Sequence, residues 1–223
     1  MLSIIIPTYN ERENIPLLIS RLEASLCAEH EIIIVDDSSP DGTAVAVSEI
    51  AKNDKTVYLI SRKAKTGLTG AVVEGVKAAK GDIIIVMDAD LSHPPEAVPK
   101  LAEALKGADI AIGSRLAQGG GVESWPMHRK VISSGADTLA RLLLGISCSD
   151  PMSGFFAMRR SAFLKIRFRS RGYKLLLNIL ADNPKAKVAE VPYTFKDRHA
   201  GKTKLGAGET INYVFDLLRI KLG

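Results

Sequence analysis

The chain reads as an α/β fold, a mostly parallel central sheet with helices on both faces, and three observations predict it. Short aliphatic runs alternate with helix-length amphipathic segments through the first half of the 223 residues, the pattern of βαβ units. The runs are continuously apolar rather than alternating, as Ile83 to Met87 shows, so the strands are buried on both faces. Apolar residues make up 46% of the chain and aromatics only 5%, which suits an aliphatic sheet covered by helices.

Leu2 to Ile6 is the first strand, ended by Pro7-Thr8-Tyr9-Asn10-Glu11. Asn10 with Glu13 three residues on has the form of a capping box. Ile15, Leu18, Ile19, Leu22 and Leu26 then recur at helical spacing. Glu31 to Val35 is a second buried strand, closed by Asp36-Asp37-Ser38-Ser39-Pro40-Asp41-Gly42-Thr43, a turn rich in residues that bond backbone amides. Thr43 to Lys52 reads as a helix, Thr56 to Ser61 as a strand and Ala71 to Lys80 as a helix. Ile83 to Met87 is the central strand; a helix from Pro95 to Lys106 and a strand from Asp109 to Gly113 follow. Beyond these lie a Gly119-Gly120-Gly121 loop, a helix from Arg129 to Leu144 and a strand ending at Met158. A strand from Val188 to Tyr193 and an amphipathic helix from Glu209 to Leu222 close the chain.

Three of the early strands end in acidic or polar clusters: Tyr9 to Glu11, Asp36-Asp37 and Asp88 to Asp90. Parallel strands put all three on one edge of the sheet, where ligands of open α/β folds bind. Two carboxylates spaced i, i+2, as Asp88 and Asp90 are, can hold a hard divalent cation against a substrate's phosphates. The plainer reading is a charged strand-to-helix turn with one aspartate as cap. Asp37 has a similar rival role, as cap of the helix at Thr43.

No run of 18 apolar residues is present, so no transmembrane segment is expected, and Met1 leads straight into a strand pattern, so no signal peptide is expected. Cys27 and Cys148 form no C-x-x-C; both read as small core residues of a reducing compartment. The net charge of +5 is unevenly placed: between Ser153 and Ala181 seven basic residues stand with no acidic one. That block suits a solvated face or an anionic lipid surface. Without aromatic stacking motifs, nucleic acid is the least favoured partner.

P-T-Y-N-E (7–11), D-D-S-S-P-D-G-T (36–43), D-A-D-L-S-H-P-P (88–95), G-S-R (113–115), R-K-V-I-S (129–133), S-G-F (153–155) and R-H-A-G-K-T-K-L (198–205) occur in this order. Together they resemble the dolichyl-phosphate mannose synthases, within the large family of inverting nucleotide-sugar glycosyltransferases. The resemblance implies a Rossmann-like GT-A fold and one catalytic domain over 1–223. Residues 1–114 would be its nucleotide-sugar half and 115–223 its acceptor and membrane-facing half. It implies transfer of mannose from GDP-mannose to dolichyl or another polyprenyl phosphate, with Mg²⁺ or Mn²⁺ as cofactor.

By the same resemblance Pro7, Tyr9, Glu11 and Asp37 form the nucleoside pocket. Asp88, Ala89 and Asp90 form the metal and diphosphate site, with Asp88 and Asp90 as ligands. Arg115, Arg129 and Ser133 receive the acceptor phosphate, and Arg198 and Lys204 lie on a loop over the donor. Asp90, Arg115, Arg129 and Arg198 would be catalytic. Some relatives carry Gln where Ser92 stands, which bears on a third metal ligand. A lipid acceptor implies peripheral attachment on the cytoplasmic side of a membrane, through the stretch from Phe155 to Leu180 and the last helix, or through a small membrane-anchoring subunit. The same motifs fit a UDP-glucose-dependent polyprenyl-phosphate glucosyltransferase and a non-catalytic nucleotide-sugar-binding relative. A signalling receiver domain is disfavoured, because the third strand ends in Ser61-Arg62 rather than at a lone phospho-accepting aspartate and the residues after 115 would have no role in it.

Overall fold

The computed structural model describes residues 1–64, 67–123, 127–168, 175–196 and 217–221, with the side chains of the helix that opens at 127 described from residue 135 onward. In chain order the first half builds β1 (Leu2–Thr8), α1 (Ile15–Ser25), β2 (His30–Asp36), α2 (Thr43–Asn53), β3 (Val57–Ser61), α3 (Leu68–Ala78) and β4 (Ile83–Val86). A 3-10 turn over Pro95–Ala97, α4 (Val98–Ala104) and β5 (Ile110–Ser114) complete it. The second half adds β6 (Gly121–Val122), α5 (Met127–Leu144), β7 (Phe156–Arg159), α6 (Arg160–Phe163), α7 (Leu175–Asp182), β8 (Val188–Pro192) and β9 (Thr194–Phe195).

Seven strands form one sheet in the order β3-β2-β1-β4-β7-β5-β8. β1, β2, β3 and β4 run parallel, with Thr8 level with Asp36 and Asp36 level with Ser61. β7 is inserted antiparallel between β4 and β5, pairing Val86 with Phe156 and Ile112 with Phe156. β8 returns parallel to β5. A second, two-stranded ladder joins β6 to β9, so the triple glycine that reads as a loop enters a short strand at Gly121.

Strand alternation sorts the apolar residues into two cores. Ile4, Ile6, Ile32, Ile34 and Ile85 face α1, α2 and α4 through Ile15, Leu18, Leu22, Val47, Val98 and Leu101. Ile5, Ile33, Val35, Ile84 and Val86 face the other way, onto Val72 and Val76 of α3, Leu176 and Ile179 of α7 and Leu217. Gly75 lets α3 lie close on the sheet: a Cβ there would sit 2.6 Å from Ile5 Cγ2 and 3.0 Å from Val35 Cγ2.

Several expectations are corrected. The first helix starts at Ile15, not after Asn10, which takes a left-handed φ of 62° and caps nothing. A helix opened at Asn10 would bury Pro16 in its interior, where the missing N–H breaks the hydrogen-bond ladder; starting at Ile15 puts that proline in the first turn. Likewise the helix read from Pro95 divides into a 3-10 turn and α4, with Pro99 in the first turn of α4. Asp37 does not cap α2: the N-cap is Gly42, in a left-handed φ of 87°, and Asp41 just before it accepts the Thr43 N–H at 2.9 Å and the Thr43 hydroxyl at 2.6 Å.

Cys27 is exposed, and of the two cysteines Cys148 alone is buried. In the stretch from Phe155 to Leu180, Phe155, Phe156, Phe163, Leu175, Leu176, Leu177, Ile179 and Leu180 lie within the cores, while Leu164 is exposed. No helix among the described residues is long and apolar enough to cross a membrane. Residues 217–221 are helical, which falls inside the segment expected to form the last helix.

Candidate active site

Parallel pairing of β1, β2 and β4 brings the three polar strand ends to one edge of the sheet. Thr8 and Asp36 are joined there directly, the Thr8 hydroxyl donating to Asp36 Oδ1 at 3.1 Å. Asp36 also accepts the Ser39 N–H at 2.9 Å, which shapes the loop after β2. Pro7 lies half-buried at the end of β1, and Tyr9 is exposed at the rim. Glu11 holds its own turn: its carboxylate accepts from Asn14 Nδ2 at 2.7 Å, and its N–H donates to Thr43 Oγ1 at 3.0 Å.

Asp37 is buried and meets Arg62 Nη1 at 2.6 Å, while its second oxygen accepts the Gly67 N–H at 3.1 Å. Arg62 also reaches Glu74 at 3.0 Å through Nε. The sequence reading assigned Arg62 no site role. The signal for it was its place just past β3, on the same edge as Asp36 and Asp37.

The turn after β4 is closely braced. Ser92 donates to Asp90 Oδ1 through both its N–H at 3.1 Å and its hydroxyl at 2.6 Å, and Leu91 adopts a left-handed φ of 63°. Asp90, Ala89 and Ser92 are buried, whereas the Asp88 side chain is 43% exposed. Ser92 thus braces Asp90. Gly154 packs beside the turn, where a Cβ would lie 3.6 Å from Asp88 Oδ2.

Among the described residues no group of three or more His, Cys, Asp or Glu side chains converges into a ready-made metal cage. Two hard carboxylates at one turn, open on the Asp88 side, are nonetheless of the donor type that suits a hard divalent cation. Asp88 and Asp90 fit that group.

Arg115 follows β5 and is held by Asp150 in a two-point pair: Nε to Oδ2 at 2.8 Å and Nη2 to Oδ1 at 2.6 Å, with the Arg115 N–H adding a third bond at 2.9 Å. Asp150 is fully buried and the Arg115 side chain is 13% exposed. Burial works against the guanidinium's charge, but the pair with Asp150 outweighs it and holds the proton more firmly than usual. Behind the pair, Ser149 bonds Glu190 of β8 through both N–H and hydroxyl, and its oxygen lies 3.0 Å from Ser114 Oγ. Ser114 Oγ accepts the N–H groups of Leu116 and Ala117 in turn. Asp150 is therefore the partner that orients Arg115, the residue expected at the acceptor phosphate.

Asp88 and Arg115 belong to one site. His93 lies between them: its Nδ1 accepts the Asp88 N–H at 2.9 Å, and Phe195, whose ring centre is 6.4 Å from the imidazole, lies 5.8 Å from Arg115 Cζ; burial lowers the pKa of His93. Tyr193 lies among the same groups, its phenol pushed up chiefly by burial. Arg129 and Ser133 fall on α5, one helical turn apart, with side chains outside the described residues. Arg198 and Lys204 lie outside the described residues altogether, as does the start of the last expected helix.

Residues 3–167 match the family model "Glycosyl transferase family 2". The chain is 46% identical over 222 residues to a dolichol-phosphate mannosyltransferase of Pyrococcus furiosus, covering 98% of this chain but 63% of that relative. It is 41% identical to the dolichol-phosphate mannosyltransferase of Saccharomyces cerevisiae, over 96% of this chain and 85% of the relative. It is 40% identical to a polyprenol monophosphomannose synthase of Mycolicibacterium smegmatis, over 95% and 83%. Among solved structures, glucosyl-3-phosphoglycerate synthase of Mycobacterium tuberculosis, in complex with Mn²⁺, UDP-glucose and phosphoglyceric acid, superposes with a TM-score of 0.73 over 99% of this chain and 79% of that one. At 22% identity that likeness speaks for the fold alone, and the fold is GT-A. The chain is a glycosyltransferase of family 2, and within that family it belongs with the dolichol- and polyprenol-phosphate mannosyltransferases.

Proposed function

We propose that the chain transfers mannose from GDP-mannose to dolichyl or another polyprenyl phosphate, inverting the anomeric centre and releasing GDP. The observation that carries this reading is the bridge through His93, which accepts the Asp88 N–H on one side and meets Phe195 beneath the Asp150-held Arg115 on the other. A site for a metal-held diphosphate thereby adjoins a fixed guanidinium. The names of the relatives from Pyrococcus, Saccharomyces and Mycolicibacterium support mannose as the sugar and a prenyl phosphate as the acceptor.

The acceptor is a phosphate monoester, already mostly dianionic at neutral pH because its second pKa is about 6, so the site needs no strong general base. One of its oxygens attacks C1 of the sugar in line, the bond from C1 to the β-phosphate oxygen breaks, and its electron pair leaves with GDP. A bound Mg²⁺ or Mn²⁺, held by Asp88 and Asp90, would neutralise charge on that leaving diphosphate. Pro7, Tyr9, Glu11 and Asp37, with Arg62 behind Asp37, line the edge assigned to the nucleoside. Arg115, oriented by Asp150, presents a planar fork to the incoming phosphate. Arg129 and Ser133 on α5 would complete that anion site, and Arg198 and Lys204 would add charge to the donor's diphosphate.

In this reading residues 1–114 and 115–223 are donor and acceptor halves of one catalytic domain. The acceptor's tail brings the protein to the cytoplasmic surface of a membrane, directly or through a small anchoring subunit. Thermal shift with Mn²⁺ and competing nucleotides tests the donor. Stabilisation by GDP and GDP-mannose well above that by UDP and UDP-glucose is the expected result; the reverse order would move the assignment to a UDP-glucose-dependent enzyme.

A further inference from the structure

His93 has no part in the chemistry above, yet it lies between the two halves of the site. The residue is 3% exposed. Its ring stacks on Phe155 with centroids 5.0 Å apart and planes 12° apart, and it meets Tyr193 and Phe195 edge-on at 5.8 and 6.4 Å. Phe195 in turn lies under the Arg115 guanidinium, 5.8 Å from ring centre to Cζ. On the donor side, His93 Nδ1 accepts the backbone N–H of Asp88 at 2.9 Å, which closes the turn from Asp88 to His93 into a ring. Inside that ring Leu91 holds a φ of 63°, a conformation that a branched apolar residue keeps only where its surroundings impose it. Gly154 seals the other side, since a Cβ there would come within 3.3 Å of His93 Cε1.

We infer that His93 is a positioning residue for the transfer reaction: Nδ1 fixes the backbone of Asp88, and so the relative placement of the two carboxylates, while the stacked ring ties that turn to the aromatic group beneath Arg115. The inference rests on the reading of Asp88 and Asp90 as the metal site. It separates two properties of one side chain. His93→Phe keeps a ring to stack on Phe155 and removes the acceptor; His93→Asn removes the ring but keeps an oxygen where Nδ1 stood.

The test is Mn²⁺ binding to the full chain with saturating GDP, followed by the electron paramagnetic resonance signal of free Mn²⁺, together with kcat and KM for the prenyl phosphate. Loss of a supporting hydrogen bond around a metal site costs about 10–100-fold in affinity or activity. His93→Phe should therefore weaken Mn²⁺ about tenfold or more and lower kcat, leaving KM for the prenyl phosphate within about twofold. His93→Asn should bind Mn²⁺ within about threefold of the unaltered chain, although it melts earlier for want of the ring. Unchanged Mn²⁺ affinity in His93→Phe, or equal weakening in both variants, would overturn the inference. If His93→Phe does not fold, His93→Asn decides: near-normal affinity supports the role, and a loss as large as that of Asp90→Ala refutes it. Asp90→Ala also guards the premise, because Mn²⁺ binding that survives that change means the metal site itself has been misread.

Discussion

Arg115 and Asp150 form a two-point pair, 13% and 0% exposed, and its energetics are those of a buried ion pair. Removing one member leaves the other charge without compensation, which costs about 3–5 kcal/mol. Asp150→Ala is expected to lose about 3 kcal/mol or more in urea denaturation, and activity with it, because the guanidinium is no longer held. Arg115→Lys keeps the charge but not the fork, so it should fold and still lose transfer by roughly tenfold or more, as a charge-assisted bond worth about 1.5–3 kcal/mol is given up; retention of full kcat/KM would show that the fork does not meet the acceptor. Cys27 and Cys148 make a simpler test at this scale. Burial raises the Cys148 thiol to about 12, so at pH 8 it stays protonated and closed to reagents that attack thiolates. Cys27 is exposed. Ellman's reagent should titrate one thiol quickly in the native protein and both in denaturant; two fast thiols would contradict the packing around Cys148.

The elements were legible where local pattern decides them. Ile4, Ile32 and Ile84 each sit in a run that has no exposed face to place, and a strand follows. The central strand and its terminal Asp88 and Asp90 could be read for the same reason, since an apolar run that stops at two carboxylates has one end at the surface. The antiparallel insertion of β7 was not legible: Phe156 to Arg159 pairs with two strands from the first half of the chain, and sequence periodicity carries no information on partner or direction. Nor was the use of the basic, apolar stretch from Phe155 to Leu180, where a run that suits a lipid surface equally suits a core. Arg62 and His93 were passed over because the contacts that define them are made to other elements. Gly113 shows how tightly the elements meet at the site: a Cβ on it would lie 2.5 Å from Phe155 Cδ1. Overpacking of this kind costs about 1–3 kcal/mol. Gly113→Ala is therefore expected to lower the melting temperature by about 2–10 °C and to disturb the ring on which His93 stacks; an unchanged melting curve would contradict the close packing of β5 on Phe155.

At the scale of the whole molecule, one seven-stranded sheet takes β1 to β5 from residues 1–114 and β7 and β8 from residues 115–223, so the proposed donor and acceptor halves share one core. Ligands that bind the folded state alone stabilise it by mass action, about 2.7 kcal/mol at a hundred times Kd. GDP and Mn²⁺ together should raise the melting temperature by about 5–10 °C in a chain of this size, and either alone by much less. Equal shifts with GDP alone would argue that no cation bridges the carboxylates and the diphosphate. The central claim is mannosyl transfer at the Asp88–Asp90 turn, beside Arg115. Its most direct measurement is the passage of radiolabelled mannose from GDP-mannose into dolichyl phosphate in detergent, with Mn²⁺ or Mg²⁺, for the unaltered chain and for Asp90→Ala. The labelled lipid should form only with the cation and disappear in the variant. Labelled lipid formed equally by Asp90→Ala, or formed in full without a divalent cation, would contradict it.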